Sequence, residues 1–282
     1  MGLRDAANAE MKRSWRRMSA LLRRPKSVCA GALFALAVLA VAGGQPPRGL
    51  LQVAMAVAAA ALVDLALRRL RGLRLGLPDG ALVTGAIVGL ILSADSPLWL
   101  APAVAAISIA SKHGIRVRHR HIFNLAAVGL LLAAASGASE SWWGDLAGLS
   151  LAYVAVLVAF MYAVLWRARK FATFFAYVAS FLAVCFAAGA MHSALGADAF
   201  RNPILNATLF AAGFMASDPP TSPSRLPMQV AYGAGAGGLA AALYLWLSGL
   251  AYPFVALLAA NATYAAVRLR LRVLQSARRE ET

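Results

Sequence analysis

The chain has 282 residues, 61% of them hydrophobic and 13% charged, with a mean hydropathy of +0.69. Soluble domains run closer to half apolar and a quarter charged, so this balance excludes an ordinary soluble fold and directs the apolar residues to lipid. The net charge of +16, from 27 Lys and Arg against 11 Asp and Glu, would suit a nucleic-acid binder, but a groove binder needs a polar domain to display its cations and the sequence offers none.

Residues 3–26 alternate basic and apolar positions, and Met11, Trp15, Met18 and Leu22 share one helical face, which predicts a helix lying in the headgroup region. Arg23, Arg24 and Lys26 then precede an apolar run ending in Ala40-Val41-Ala42, the outline of a signal peptide. The basic stretch would be unusually long for one, and the run is long enough to remain as a span. Apolar runs follow at 28–43, 50–67, 81–94, 98–111, 122–137, 146–166, 171–191, 204–217, 228–249 and 253–268, ten in all. Cys29 and Cys185 each lie inside a run, so two thiols build neither a disulfide framework nor a Cys-based metal site.

Ten crossings from a cytoplasmic N-terminus put the basic clusters 4–26, 68–74, 112–120, 167–170, Arg225 and 268–279 on one side, together 25 of the 27 Lys and Arg. Only Arg48 and Arg201 fall on the far side, with Glu140, Asp145 and Asp198. That asymmetry predicts a multi-pass protein of the bacterial inner membrane with cytoplasmic termini, its partner the lipid bilayer rather than nucleic acid.

Five crossings per half require any second copy to be inverted in the membrane. Leu92-Ser93-Ala94-Asp95-Ser96-Pro97 returns as Met215-Ala216-Ser217-Asp218-Pro219-Pro220, each closing the third run of its half, and Asn124-Leu-Ala-Ala-Val128 is echoed by Asn261-Ala-Thr-Tyr-Ala-Ala-Val267. The expected fold is all-α, integral to the membrane. A basic segment spans 1–27, five-helix repeats occupy 28–137 and 138–270, and a basic tail occupies 271–282.

Runs three and eight have 14 residues each, against the roughly 20 needed to cross the hydrocarbon core. Each ends in Asp followed by Ser or Pro, which stops a helix and can cap the next. Paired broken segments of this kind point to a binding site between the halves. Asp95 and Asp218 are expected to accept hydrogen bonds from the backbone freed at those joints. Elsewhere, Asp64 and Arg68 fit an i,i+4 pair at a helix edge. His113, His119 and His121 stand among Lys112, Arg116, Arg118 and Arg120, cationic neighbours that oppose a bound metal. Gly233, Gly235, Gly237 and Gly238 predict close helix packing. No Walker, Rossmann, zincin or nucleophile-elbow pattern is present, and no catalytic residue is assigned.

Phe214-Met-Ala-Ser-Asp-Pro-Pro-Thr-Ser-Pro223 resembles the Asp-Pro signature of the NqrB/RnfD-type family, the flavin-carrying membrane components of the Rnf electron-transport complex and of the sodium-pumping NADH:quinone oxidoreductase. Asp79-Gly-Ala-Leu-Val-Thr-Gly85, Lys112 and His121-Ile-Phe-Asn-Leu-Ala-Ala127 resemble the same family's first half. The resemblance covers roughly residues 50–270. It implies a ten-helix inverted-repeat fold, related in shape to urea channels, that carries flavin and passes electrons across the membrane together with other redox subunits. The family attaches FMN to the Thr of a Ser-Gly-Ala-Thr motif, whereas the loop here reads Ala138-Ser-Glu-Ser-Trp-Trp-Gly-Asp145. A noncovalent flavin, FMN or riboflavin, is therefore expected, held by Asp95, Ser96, Lys112, His121, Asn124, Asp218, Thr221, Ser222 and Asn261. The alternative is a transporter or channel for a small solute such as a flavin, without redox chemistry.

Overall fold

A computed structural model of the chain describes residues 24–117, 120–147, 149–202, 204–247 and 251–280. The amphipathic segment expected over 3–26 lies almost wholly outside these residues, as does His119.

The apolar runs form helices α1 (Pro25–Ala42), α2 (Arg48–Leu70), α3 (Asp79–Ile91), α4 (Leu100–Gly114), α5 (Leu125–Ala135), α6 (Leu151–Ala168), α7 (Phe171–Ala190), α8 (Ile204–Ala216), α9 (Leu226–Leu247) and α10 (Tyr252–Glu280). A single turn at Ala194–Asp198 and a two-residue antiparallel pair, β1 (Arg116–Val117) with β2 (Arg120–His121), complete the regular structure of the described residues. Glycines in the left-handed region, Gly72 after α2 and Gly137 after α5, close their helices.

Five helices, α1, α2, α7, α9 and the first part of α10, are long and apolar enough to cross a membrane. They leave large apolar side chains exposed, among them Phe34, Leu62, Phe175, Phe186 and Trp246, as a lipid-facing surface requires. By contrast α3 and α8 have 13 residues each, about 20 Å of rise. Ala81, Ile87, Val88, Leu90 and Ile91 of α3 are buried, as is α8 from Phe210 to Ala216. A helix apolar on every side belongs in a protein core, and one wrapped by protein need not match the thickness of lipid. Residues 211–216 of α8 are wound as a π-helix.

Within the first five helices α2 packs on α3 and α4, α1 on α3, and α4 on α5. Within the last five α7 packs on α8 and α9, α6 on α8, and α9 on α10. Across the two sets α1 meets α6 and α5 meets α10.

Small residues set the closest crossings. A Cβ at Gly85 would lie 2.6 Å from Val57 Cα, and one at Gly89 2.8 Å from Val53 Cα, so α3 sits on the α2 backbone. Gly233 and Gly237 do the same for α9, meeting the carbonyl oxygens of Thr173 and Tyr177 on α7. Gly235 and Gly238, expected to share this role, face open space. Their offset along the helix turns them off the contact stripe.

Polar contacts define two ends. At one, Arg24 pairs with Asp79 (3.6 Å), Arg71 Nη1 donates to the His113 carbonyl (3.1 Å) and Gln229 Nε2 donates to the Arg169 carbonyl (3.3 Å). At the other, Arg48 Nη2 donates to the Ser96 carbonyl (3.1 Å) and Asn206 Nδ2 to the Asp145 carbonyl (3.1 Å). The described basic clusters thus gather at one end, and Arg48 sits at the opposite one.

Candidate functional site

A cavity opens at the basic end between the two sets of helices. Its walls are the starts of α1, α3 and α5, carrying Lys26, Gly80 and Asn124, and the ends of α6 and α8, carrying Ala168, Ser217 and Asp218. Thr84, His121 and Cys29 complete the polar lining. Three helix N-termini bring partial positive charge and two C-termini partial negative charge, a setting that orients a small polar or charged group. The space a water-sized sphere can occupy is about 50 Å³, enough for a few waters.

Asn124 and Asn261 organise the floor. Asn124 is the N-cap of α5, its side-chain oxygen accepting from Ala127 N–H (3.1 Å), while its Nδ2 donates to the Met215 carbonyl (3.1 Å). The Asn124 backbone N–H donates to Asn261 Oδ1 (2.8 Å), and Asn261 Nδ2 donates to the Thr221 carbonyl (3.2 Å) and the Tyr232 hydroxyl (2.6 Å). Both asparagines are buried and bonded through oxygen and nitrogen alike.

The turn after α8 forms the lid. The Asp218 carbonyl accepts from the backbone N–H groups of Thr221 (3.2 Å) and Ser222 (3.1 Å) and from the Ser222 hydroxyl (2.7 Å). Its carboxylate accepts from the Thr221 hydroxyl (3.3 Å). The joint is therefore closed by main-chain turn bonds, and the expected capping of freed N–H groups by the Asp218 carboxylate is not what the structure shows. Burial pushes this carboxyl up, against the pull of Lys26, the Thr221 hydroxyl and Lys170. Lys170, itself buried, donates to the carbonyls of Ser222 (3.2 Å) and Pro223, and burial moves it down to about 8 against the pull of Asp218. His121 is pushed down to about 4 by burial and by Lys26, Lys112 and Arg116, so it meets the cavity as a neutral imidazole.

Of the nine residues expected at one site, His121, Asn124 and Asp218 line the cavity, and Thr221, Ser222 and Asn261 stand directly behind it. Asp95, Ser96 and Lys112 lie elsewhere. Lys112 Nζ is 2.7 Å from Asp64 Oδ1, in a cluster where Arg68 (2.8 Å) and His113 (3.4 Å) share the same carboxylate. The expected Asp64–Arg68 pair is thus one edge of a four-residue network. Asp95 is exposed at the end of the molecule remote from the cavity. The groups freed where α3 stops go to other partners: Gln52 Nε2 donates to the carbonyls of Gly89 and Leu92 (3.1 Å each), Trp143 Nε1 donates to that of Gly89 (3.0 Å), and the N–H groups of Ser141 (2.9 Å) and Trp142 (3.1 Å) donate to that of Ile91. The joint that Asp95 is expected to serve is therefore filled by α2 and by a loop from further along the chain.

That loop, residues 138–147, folds inward. Trp142 is 1% exposed, stacked on Phe254 at 5.5 Å and edge-on to Phe210 at 6.0 Å, and so seals the molecule between the two helix sets at the end opposite the cavity. It takes a left-handed backbone (φ 51°), as does Leu146 (φ 59°). Asp145 Oδ1 accepts from Ala147 N–H (2.7 Å) while Oδ2 is buried without a partner among the described residues, and burial pushes the carboxyl up to about 7. Sequence reasoning misses this plug, although two adjacent tryptophans in so short a loop are its signal. It also misses Lys26, Cys29 and Ser217 as lining.

Among the described residues no three His, Cys, Asp or Glu side chains gather as metal ligands. Comparison of the sequence with protein-family models and with curated proteins found no match.

Proposed function

We propose that the chain crosses the membrane ten times as two inverted five-helix halves with both termini in the cytoplasm, and that it is a flavin-associated subunit of a membrane electron-transport complex. The pairing of α2 with α4 and of α7 with α9, and the meeting of α1 with α6 and α5 with α10, support two copies related by a twofold axis in the membrane plane. The gathering of basic clusters at one end supports the orientation.

One observation carries the functional reading. The Asp-Pro segment around Asp218 and the segment from His121 to Ala127, which resemble the electron-transport subunits on sequence alone, meet around one cavity and are tied together by Asn124 Nδ2 to the Met215 carbonyl. A noncovalent flavin would supply the redox chemistry and the protein its position. The wall of Lys26, Asn124 and Asp218 offers polar partners for the edge of such a ring. The enclosed space, about 50 Å³, is smaller than an isoalloxazine ring, so binding would require the cavity to widen. Redox partner subunits and coupled ion movement belong to the same proposal. The test is extraction of purified protein from flavin-replete cells. Near-stoichiometric flavin released by denaturation is expected, and no flavin above background contradicts the reading.

The narrowness of the cavity favours a second reading, passage of a small solute between the halves without redox chemistry, with Trp142 as the barrier. Uptake of labelled small neutral solutes and flavins into proteoliposomes tests it, and absence of uptake for all of them rejects it.

A further inference from the structure

A second groove lies at the basic end, away from the cavity, between α2, the loop after it, and α4. Arg68, Leu73, Arg74, Lys112, His113 and Arg116 line about 230 Å³. Four of these are Lys or Arg, and the carboxylate beside them, Asp64, is fully buried and already shared by Arg68, Lys112 and His113. Setting the four Lys and Arg side chains against Asp64 leaves three positive charges in excess, His113 not counted. Arg116 uses its Nε on the Lys112 carbonyl (2.7 Å), which fixes the guanidinium while leaving its two terminal nitrogens. His113 is 5% exposed, and its Nδ1 has no partner among the described residues. A shallow groove of this charge selects an oxyanion, and guanidinium groups match phosphate oxygens in particular.

The loop bordering the groove says where that phosphate comes from. Leu70, Leu73, Leu75 and Leu77 are 82%, 46%, 59% and 56% exposed, between and around Arg71 and Arg74. Leucines this exposed, interleaved with arginines beside a membrane-length helix, suit the acyl boundary of a bilayer.

We propose that this groove binds the phosphate headgroup of an anionic phospholipid, with Arg74, Arg116 and Lys112 on the phosphate oxygens and the leucines of the 70–77 loop among the acyl chains. The site would anchor the α2–α4 pair at a defined depth in the leaflet.

The test uses the full chain in neutral detergent, titrated with phosphatidylglycerol, phosphatidylcholine and inorganic phosphate and read by native mass spectrometry. The proposal expects at least about tenfold preference for phosphatidylglycerol over phosphatidylcholine, lost in the double variant Arg74→Gln/Arg116→Gln. Arg74→Gln alone, which leaves the Arg116 bond to the Lys112 carbonyl in place, should give an intermediate value and guards against misfolding of the double variant. Arg268→Gln/Arg270→Gln removes the same charge from α10 and should leave the preference intact. Equal loss in that control would show diffuse surface attraction and overturn the site. Binding of inorganic phosphate without preference between the two lipids would overturn the lipid assignment, and so would no preference at all.

Discussion

The backbone N–H of Asn124 donates to the side-chain oxygen of Asn261 over 2.8 Å, across 137 positions of sequence. The two asparagines are the echoing residues of the two sequence halves, so the two matching segments meet at this bond. Asn261 Nδ2 then reaches the Thr221 carbonyl and the Tyr232 hydroxyl, coupling the α8–α9 turn to α10.

Replacing Asn261 by Ala leaves three buried polar groups without partners, at about 1–3 kcal/mol each. A loss of roughly 3 kcal/mol or more is expected from that sum, read as a fall in the unfolding temperature in detergent. Asn124→Ala removes the cap on Ala127 and the bond to Met215 but keeps the backbone bond to Asn261, so its cost should be smaller, about 1–2 kcal/mol. Equal effects, or a silent Asn261→Ala, would contradict this network.

Two glycines on α9 separate packing from composition. Gly237→Ala puts a Cβ into the Tyr177 carbonyl of α7 and should destabilise by about 1–3 kcal/mol. Gly238→Ala meets nothing within 4 Å and should be neutral or slightly stabilising through helix propensity. Thermal unfolding of the two variants side by side checks the pair.

The plug carries a pH dependence. Burial raises the Asp145 carboxyl from 3.8 to about 7, so the folded state binds the proton more tightly than the unfolded state. The neutral form's advantage is complete below the unfolded value and lost as pH climbs toward 7, so stability should fall between about pH 4 and 7. Asp145→Asn keeps the acceptor for Ala147 N–H and removes the charge. It should flatten the profile and raise stability at neutral pH, by on the order of 3–4 kcal/mol at most. Unfolding temperatures of both proteins across that window decide the matter, and parallel profiles would exclude Asp145 as the cause.

Trp142→Ala removes a buried ring stacked on Phe254. Under the small-solute reading, proteoliposomes carrying this variant should leak solute several-fold faster than those carrying the parent protein. Unchanged permeability in a folded variant counts against the passage while leaving the electron-transfer reading standing.

Much of the helical arrangement is legible from residue order because its signals are local. The Asp64–Arg68 pair follows from a four-residue spacing, but Lys112 and His113 join it from 48 and 49 positions away, beyond any periodicity. The echo of Asn124 in Asn261 can be read along the chain, whereas their contact cannot. Short runs three and eight do mark the buried helices, but for a different physical reason: α3 and α8 are wrapped by protein. Asp95 misleads because an Asp before Ser looks like a cap, whereas the backbone it would serve is taken by Gln52, Trp143 and a loop folded back from residues 138–142.

The claim on which the rest depends is the inversion of the two halves, and impermeant thiol labelling in intact cells tests it most directly. Single cysteines replace Asp95 and Ser224, both exposed, in a background with Cys29 and Cys185 changed to Ala. Inverted halves with a cytoplasmic N-terminus predict that Asp95→Cys reacts from outside and that Ser224→Cys reacts only after the membrane is opened. Labelling of both from the same side would contradict the inverted repeat, and the cavity between the halves would lose its claim to be the functional site.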